Sequence, residues 1–320
     1  MTLSSEFLAL GHIVREPVGK GQGYWAGAPG SFYDTEERAF YLTYRLRRPR
    51  GVEPDRGGEA FIARSADGLH FDDVLRVTKD RFASTSIEKC ALRRGPDGLW
   101  RYFLSTVAPE DSRWCVSVLR ASTIDGLASA DVERVFTATE LDVEGVKDPW
   151  IFEHDGTFHM ILSVAVMVPE TSEQSHATAD IYNTGECKSA TALATSADLD
   201  RWTWRGVVFA PGDSGWDRYA RRINSVVATG EGLVAFYDGA ESHLGNYEER
   251  TGLAASTDLE SWRCLTPGGP ALVSANTSGS LRYVDAIPVG DDLFLYYEFA
   301  RVDGSHDLRV VRTTVNELPR

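Results

Sequence analysis

The sequence has no long apolar run and no targeting segment at its start. None of its 320 residues lies in a stretch that approaches the roughly 18 to 20 continuous apolar residues of a membrane span. The first six residues, Met1 to Glu6, do not combine a basic segment with an apolar one. These absences predict a soluble cytoplasmic protein that has no membrane partner.

Basic residues are in deficit. The chain has 33 Lys and Arg against 47 Asp and Glu, which gives a formal net charge of −14. Such a chain repels the phosphates of nucleic acids and anionic lipids, so we expect no nucleic-acid partner.

Cysteine is scarce, and the common cofactor motifs are missing. Cys90, Cys115, Cys187 and Cys264 are widely separated and form no CxxC pair, which predicts reduced and mostly buried thiols rather than a zinc site or a disulfide scaffold. There is no glycine-rich phosphate loop, no HExxH and no GxSxG. We therefore expect no metal and no cofactor.

A short aromatic segment typical of β-strands recurs five times. Four of the five copies follow a turn signal such as Asp155-Gly156, which indicates a β-hairpin. The copies are residues 40–44, 100–105, 158–163, 233–237 and 293–297.

A Ser- and Asp-containing turn segment recurs with the same period. This turn segment lies between two further runs that are typical of β-strands, so we predict four antiparallel strands in each unit. Five such units predict an all-β fold, a five-bladed β-propeller that forms a single domain over residues 1–320. The turn segments are residues 65–71, 122–127, 196–202 and 256–262.

The last unit lacks a fourth strand, because the chain ends soon after residues 308–313. Residues 9–15 have the character of a strand and precede the first unit. We expect this N-terminal strand to complete the last blade and to protect its open edge.

The first strand of each unit should face the central channel. Polar residues stand at corresponding positions before each hairpin, so carboxylates and arginines from distant parts of the chain should meet there. Paired carboxylates whose pKa values are pushed apart suit glycoside hydrolysis. The segments are 27–30, 86–90, 146–152, 222–225 and 282–285.

The third unit carries a specific resemblance. Asp148-Pro149 before a strand, the Asp155-Gly156 hairpin, an aromatic strand and the segment 195–202 together resemble the five-bladed propeller glycoside hydrolases of families 43, 32, 68, 62, 117 and 130. In families 43 and 32 a first-blade Asp is base or nucleophile, a second Asp tunes pKa or orients substrate, and a Glu is the acid. The resemblance assigns the second role to Asp148.

The sequence departs from that pattern at Ala28, which stands where the first-blade carboxylate is expected. Glu88 can take over one catalytic role, and Glu241 or Asp238 can supply a second acid or base. We therefore predict an enzyme that cleaves a small glycoside or oligosaccharide. Its predicted catalytic residues are Asp148, Glu88 and Glu241, and its predicted substrate-binding residues are Asp238, Arg222, Asn224, Arg282, Asp285, His243 and Trp150.

Other interpretations stay open. The loss of a carboxylate at Ala28 favours a non-catalytic carbohydrate-binding propeller. Arg222, Arg282 and Lys147 suit phosphate in a phosphorylase, or a uronic acid, and a lyase on the same fold is a third possibility. The same charged groups can also form structural ion pairs, as we expect for Glu248 or Glu249 with Arg250.

The longest interval between repeats contains an insertion, residues 169–187. Its polar composition around His176 indicates an exposed loop that covers the rim of the pocket. We expect no functional role for His12, His70 or His306.

Overall fold

The computed structural model describes residues 3–169 and 171–318. Strands dominate these residues, and the single α-helix among them, α1, spans Ser5–Ala9, so the all-β prediction is confirmed. The strands are β1 His12–Arg15, β2 Trp25–Asp34, β3 Ala39–Arg48, β4 Arg56–Ser65, β5 Asp72–Thr78, β6 Ile87–Arg94, β7 Trp100–Val107, β8 Trp114–Ala121, β9 Glu133–Phe136, β10 Gly145–His154, β11 Thr157–Met167, β12 Cys187–Ser196, β13 Thr203–Phe209, β14 Ala220–Thr229, β15 Gly232–Ala240, β16 Arg250–Ser256, β17 Arg263–Cys264, β18 Leu281–Val289, β19 Asp292–Ala300 and β20 His306–Thr313. Short 3₁₀ turns span Lys79–Phe82, Asp125–Ala128, Glu173–Ala177, Ile181–Asn183, His243–Gly245 and Val315–Glu317.

The strands pair in consecutive antiparallel sets. β2 to β5, β6 to β9, β10 to β13 and β14 to β17 each form a set of four, and β18 to β20 form a set of three. β1 pairs antiparallel with β20, where His12 lies opposite Val310. The N-terminal strand therefore adds a fourth strand to the last set.

The predicted N-terminal strand is shorter in the structure. Residues 5–9 form α1 because the Ser4 hydroxyl caps its first turn, accepting a hydrogen bond from the Phe7 amide at 3.3 Å. The strand then begins at His12.

The sets are not isolated sheets. Single parallel bridges join the third strand of one set to the first strand of another, at Ser189 with Ala220, at Arg250 with Leu281 and at His306 with Trp25. Four sets therefore form one 16-stranded mixed sheet, and β6 to β9 form a separate four-stranded sheet.

The first strands of the five sets lie around a ring. β2 contacts β6, β6 contacts β10, β10 contacts β14, β14 contacts β18, and β18 contacts β2. The hydrophobic core lies between neighbouring sets, where for example Ile62 of the first set packs with Leu92 and Leu104 of the second. The five first strands therefore surround a central channel.

The repeated turn has the same hydrogen bonds in three units. Ser196 Oγ accepts from the Leu199 amide at 2.9 Å, and Asp198 Oδ1 accepts from the amides of Asp200 and Arg201. Residues 65–70 and 256–261 repeat this pattern. The copy at residues 122–127 forms a 3₁₀ turn instead.

All four cysteines are free, and three of them are buried, as predicted. Over residues 3–169 and 171–318, no group of three or more His, Cys, Asp or Glu side chains is arranged to hold a metal ion. Within the same residues, no helix has the length and apolar character needed to cross a membrane.

Candidate functional site

Every first strand has a β-bulge at the same place. Pairing with the second strand is interrupted between residues 27 and 30, 87 and 90, 147 and 150, 223 and 225, and 282 and 285. A bulge bends its strand and re-aims a side chain, here at one end of the channel. The bulged positions are occupied by Ala28, Glu88, Asp148, Asn224 and Tyr283.

Three of these residues have left-handed backbone geometry. The φ angles of Ala28, Asp148 and Tyr283 are 52°, 58° and 55°. Asp tolerates this region, whereas Ala and Tyr adopt it at a cost, which indicates that the surrounding structure enforces the bulge. The matching geometry shows that Ala28 occupies the position in the first set that Asp148 occupies in the third.

Asp148 is a buried carboxylate without a hydrogen-bond partner. Its side chain is 3% exposed, and neither oxygen has a partner among the described residues. Its backbone amide donates to Ser105 Oγ at 2.7 Å, and Lys147 Nζ lies 3.6 Å from Oδ2. A buried carboxylate that pairs with a lysine but accepts no hydrogen bond can accept one from a ligand.

Glu88 has a different environment. Its carboxylate accepts from Arg45 Nε at 2.7 Å and from Arg47 Nη1 at 2.9 Å. Burial alone would raise the pKa of Glu88, but these arginines lower it to about 2. Glu88 is therefore held as an ionised carboxylate in a structural ion pair, which does not suit a proton donor.

Arg222 and Arg282 are also paired inside the protein. Both donate to Glu249, Arg222 to Oε1 and Arg282 to Oε2, the latter at 2.7 Å, and Arg282 also donates to Glu298. Glu249 therefore pairs with these two buried arginines. The ion pair that we predicted between Glu249 and Arg250 is not formed. Carboxylates therefore engage both guanidinium groups, although Nε of Arg222 has no hydrogen-bond partner among the described residues.

Asp238 lies beside this network. Its oxygens accept from the Tyr283 amide at 3.0 and 3.2 Å. Burial, reinforced by the negative charge of Glu249, raises the pKa of Asp238 to about 7. Asp238 can therefore hold a proton near neutral pH.

Lys89 connects these carboxylates electrostatically. Its ammonium group is fully buried, donates to the Asn224 carbonyl at 3.0 Å, and is attracted by Asp285, Asp148 and Asp238. Asn224 itself is 2% exposed and lies at the bulge of β14. We call this set of buried side chains the channel cluster; its members are Arg45, Arg47, Glu88, Lys89, Lys147, Asp148, Arg222, Asn224, Asp238, Glu249, Arg282, Tyr283, Glu298 and His306.

Asp285 and Trp150 lie beyond the bulges, toward the other end of the channel. The Trp150 indole N–H donates to Asp285 Oδ1 at 2.7 Å, and the Ser31 amide donates to Oδ2. Both Asp285 oxygens are thus occupied by donors within the protein. These two residues join first strands to each other rather than lining the channel cluster.

Two predicted site residues lie outside the cluster. The Glu241 side chain is 66% exposed and pairs with Arg218 at 3.1 Å on the surface. His243 is half-buried and lies against Gly185 of the insertion and near the Tyr219 ring. The structure therefore does not bring Glu241 together with Asp148, because β15 ends at Ala240 and the chain turns outward there.

Other members of the channel cluster, among them Arg45, Glu298 and His306, were missed as site candidates. Arg45 and Glu298 lie on second strands opposite Gly27 and Arg282, the residues before two of the bulges, and the predicted Asp238 lies opposite Arg222 of β14. A charged residue inside an aromatic strand was the available signal for Arg45 and Glu298. His306, expected to be incidental, is fully buried with Nδ1 2.7 Å from Glu298 Oε1 and Nε2 3.2 Å from Glu248.

The insertion covers the cluster. The Tyr182 hydroxyl donates to the Gly145 carbonyl at 3.2 Å, and Lys147 Nζ lies 4.8 Å from the centre of the Tyr182 ring. The Trp114 indole N–H donates to the Ala179 carbonyl at 2.8 Å. These contacts place an aromatic cover over Lys147 and Asp148.

Comparisons with solved structures agree with this architecture, although no protein-family model matches the sequence and a search of curated proteins gives no match. A structure described as a glycoside hydrolase has a TM-score of 0.67 and 14% identity, covering 97% of this chain and 92% of that chain. A thermostable family-43 glycoside hydrolase has a TM-score of 0.65 and 11% identity, covering 94% and 92%. A β-1,2-mannobiose phosphorylase from Listeria innocua, in complex with β-1,2-mannobiose, has a TM-score of 0.62 and 14% identity, covering 96% and 95%. The chain therefore has the β-propeller fold of these glycoside hydrolases and of the phosphorylase.

Proposed function

We propose that this protein is a five-bladed propeller enzyme that acts on a small glycoside at the channel cluster. The buried carboxylate of Asp148, which accepts no hydrogen bond from the described residues, is the observation that carries this proposal. Its bulge position and the glycoside-active structural neighbours support the same conclusion.

Asp148 and Asp238 are the carboxylates that we assign to the reaction. Glycoside cleavage uses one carboxylic acid to protonate the leaving oxygen and one carboxylate to stabilise or attack the sugar. The raised pKa of Asp238, about 7, suits the acid, and Asp148, whose oxygens accept no hydrogen bond from the described residues, suits the carboxylate. Glu88 then acts as a positioning residue that fixes Arg45 and Arg47.

Access to Asp148 requires the cover to move. Tyr182 and the Trp114 contact to Ala179 close the cluster in this structure. We infer that residues 171–186 open to admit a sugar and close over it, which excludes water during the reaction.

The experiment is a screen of aryl glycosides and oligosaccharides, with and without phosphate, that reads released sugar and thermal shift together. We expect turnover that does not require phosphate, because carboxylates already pair with the predicted phosphate-binding arginines. Glu249 accepts hydrogen bonds from both Arg222 and Arg282, and Glu298 accepts from Arg282. On the substrate found, Asp148→Asn should lose at least about 100-fold in kcat, as expected for removal of a reacting carboxylate.

Glu241→Gln is the matched control, because Glu241 pairs with Arg218 on the surface and should not affect turnover. If Asp148→Asn retains full activity while folded, the assignment is wrong. Thermal shift without turnover would select the non-catalytic carbohydrate-binding alternative, which Ala28 favours, and strict phosphate dependence would select a phosphorylase.

A further inference from the structure

A cavity lies in the channel, at the end opposite the channel cluster. Its volume is about 630 Å³, and all five first strands contribute to its wall. We call it the distal cavity and define it by one residue from each of these strands: Phe32, Arg93, Trp150, Val226 and Ala286.

Arg93 is the unusual residue of this cavity. Its guanidinium donates to the carbonyls of Ser31 at 3.1 Å and Leu92 at 2.6 Å, and to that of Ile151. In residues 3–169 and 171–318, no carboxylate lies within ion-pair distance of it. The neighbouring Arg94 also lines the cavity but is neutralised by Glu36 at 2.7 Å.

The charge of Arg93 is therefore not neutralised by a direct ion pair within residues 3–169 and 171–318. Burial lowers the pKa of Arg93 to about 10, so the group is still a cation at neutral pH. Its electrostatic partner is Asp285, whose two oxygens already accept hydrogen bonds from Ser31 and Trp150. A partly buried cation of this kind gains most from an anion that makes a charge-assisted hydrogen bond to it.

The rest of the wall is mostly apolar and partly aromatic. Phe32, Trp150 and Phe152 lie on it, and the Arg93 guanidinium lies 5.4 Å from the centre of the Phe32 ring. Such a surface favours a flat apolar body over a hydrated sugar or a free inorganic anion.

We propose that the distal cavity is a second ligand site that binds a small aromatic carboxylate, with the carboxylate on Arg93 and the ring against the apolar wall. This site is separate from the channel cluster and does not depend on the function proposed for Asp148.

Isothermal titration calorimetry with 2-naphthoate tests the proposal, and 2-naphthylmethanol serves as the uncharged matched probe. We expect 2-naphthoate to bind one site per chain and the alcohol to bind at least about tenfold more weakly, as a charged hydrogen bond implies. Arg93→Met should weaken naphthoate binding by at least about tenfold, whereas Arg94→Met should change it by less than about threefold.

Ala228→Trp provides a second test that leaves Arg93 intact, in case Arg93→Met does not fold. Ala228 is exposed and lines the same cavity, so a tryptophan there should obstruct the ligand without disturbing the core. Asp148→Asn should bind naphthoate as the wild type does. The proposal is overturned if the wild type does not bind naphthoate, if Ala228→Trp and Arg93→Met bind it normally, or if Asp148→Asn abolishes binding.

Discussion

Buried carboxylates of this protein differ in protonation because their immediate partners differ. Glu88 contacts two guanidinium groups, which lower its pKa to about 2. Asp238 accepts from a backbone amide and lies near the negative Glu249, so burial raises its pKa to about 7. Burial by itself acts on both groups in the same direction, and the neighbouring charge decides the outcome.

This difference predicts how stability depends on pH. Because the folded pKa of Asp238 lies above its ordinary value, the stability that it contributes is present in acid and is lost as pH rises through about 7. Asp238→Asn keeps a neutral group at all pH values. Between about pH 4 and pH 8 we expect the wild type to lose stability relative to Asp238→Asn, by an amount on the order of a few kcal/mol.

Urea unfolding of both proteins over this pH range measures the effect. Other buried groups with raised pKa values, such as Asp285 and His306, are present in both proteins and cancel in the difference. Parallel stability curves for the two proteins would show that Asp238 is not protonated in the folded state.

At the scale of elements, the Ser-x-Asp turn connects the third and fourth strands of a set and is stabilised by its own hydrogen bonds. Asp198 Oδ1 accepts from two backbone amides, which lowers the pKa of Asp198. The corresponding segment of the second unit uses the Thr123 hydroxyl, which accepts from the Gly126 amide at 3.1 Å. Asp125 therefore lies at the corresponding place in the repeat but does not bond the turn amides as Asp198 does.

The two aspartates form a matched pair for mutation. Asp198→Ala should lower the melting temperature at neutral pH more than Asp125→Ala does, because only Asp198 satisfies two turn amides. Since the folded pKa of Asp198 is lowered, its contribution should disappear as pH falls through that pKa. Differential scanning calorimetry at neutral and acid pH checks this; equal effects of the two substitutions would contradict it.

At the scale of the whole molecule, the N-terminal segment holds the two ends of the chain together. β1 pairs with β20, and the Leu8 side chain of α1 is fully buried in a core with Val284, Leu295 and Phe299. The Leu8 carbonyl also accepts from the Tyr297 hydroxyl. The segment thus covers an edge of the last set and fills part of its core.

Leu8→Ala should therefore cost about 2–5 kcal/mol of unfolding free energy, as expected for a fully buried leucine. Leu10→Ala is the control two residues away, because Leu10 is 82% exposed and its loss should be nearly neutral. Chemical denaturation of both variants measures the difference. A similar small cost for both would mean that α1 does not contribute to the core.

The sequence by itself determined the repeated hairpins, the all-β class and the strand that pairs with β20, because alternation and turn residues act within one unit or at its edge. It also indicated the bulge residues Asp148 and Glu88, since they precede the hairpins at equivalent positions. Tertiary structure alone decided which charges meet: Glu249 with Arg222 and Arg282, and His306 with Glu298. It also separated Glu241 from the cluster. The reason is physical: a shift of one residue in register, or one bulge, turns a side chain to another face, and ion pairs across the ring join residues far apart in the chain.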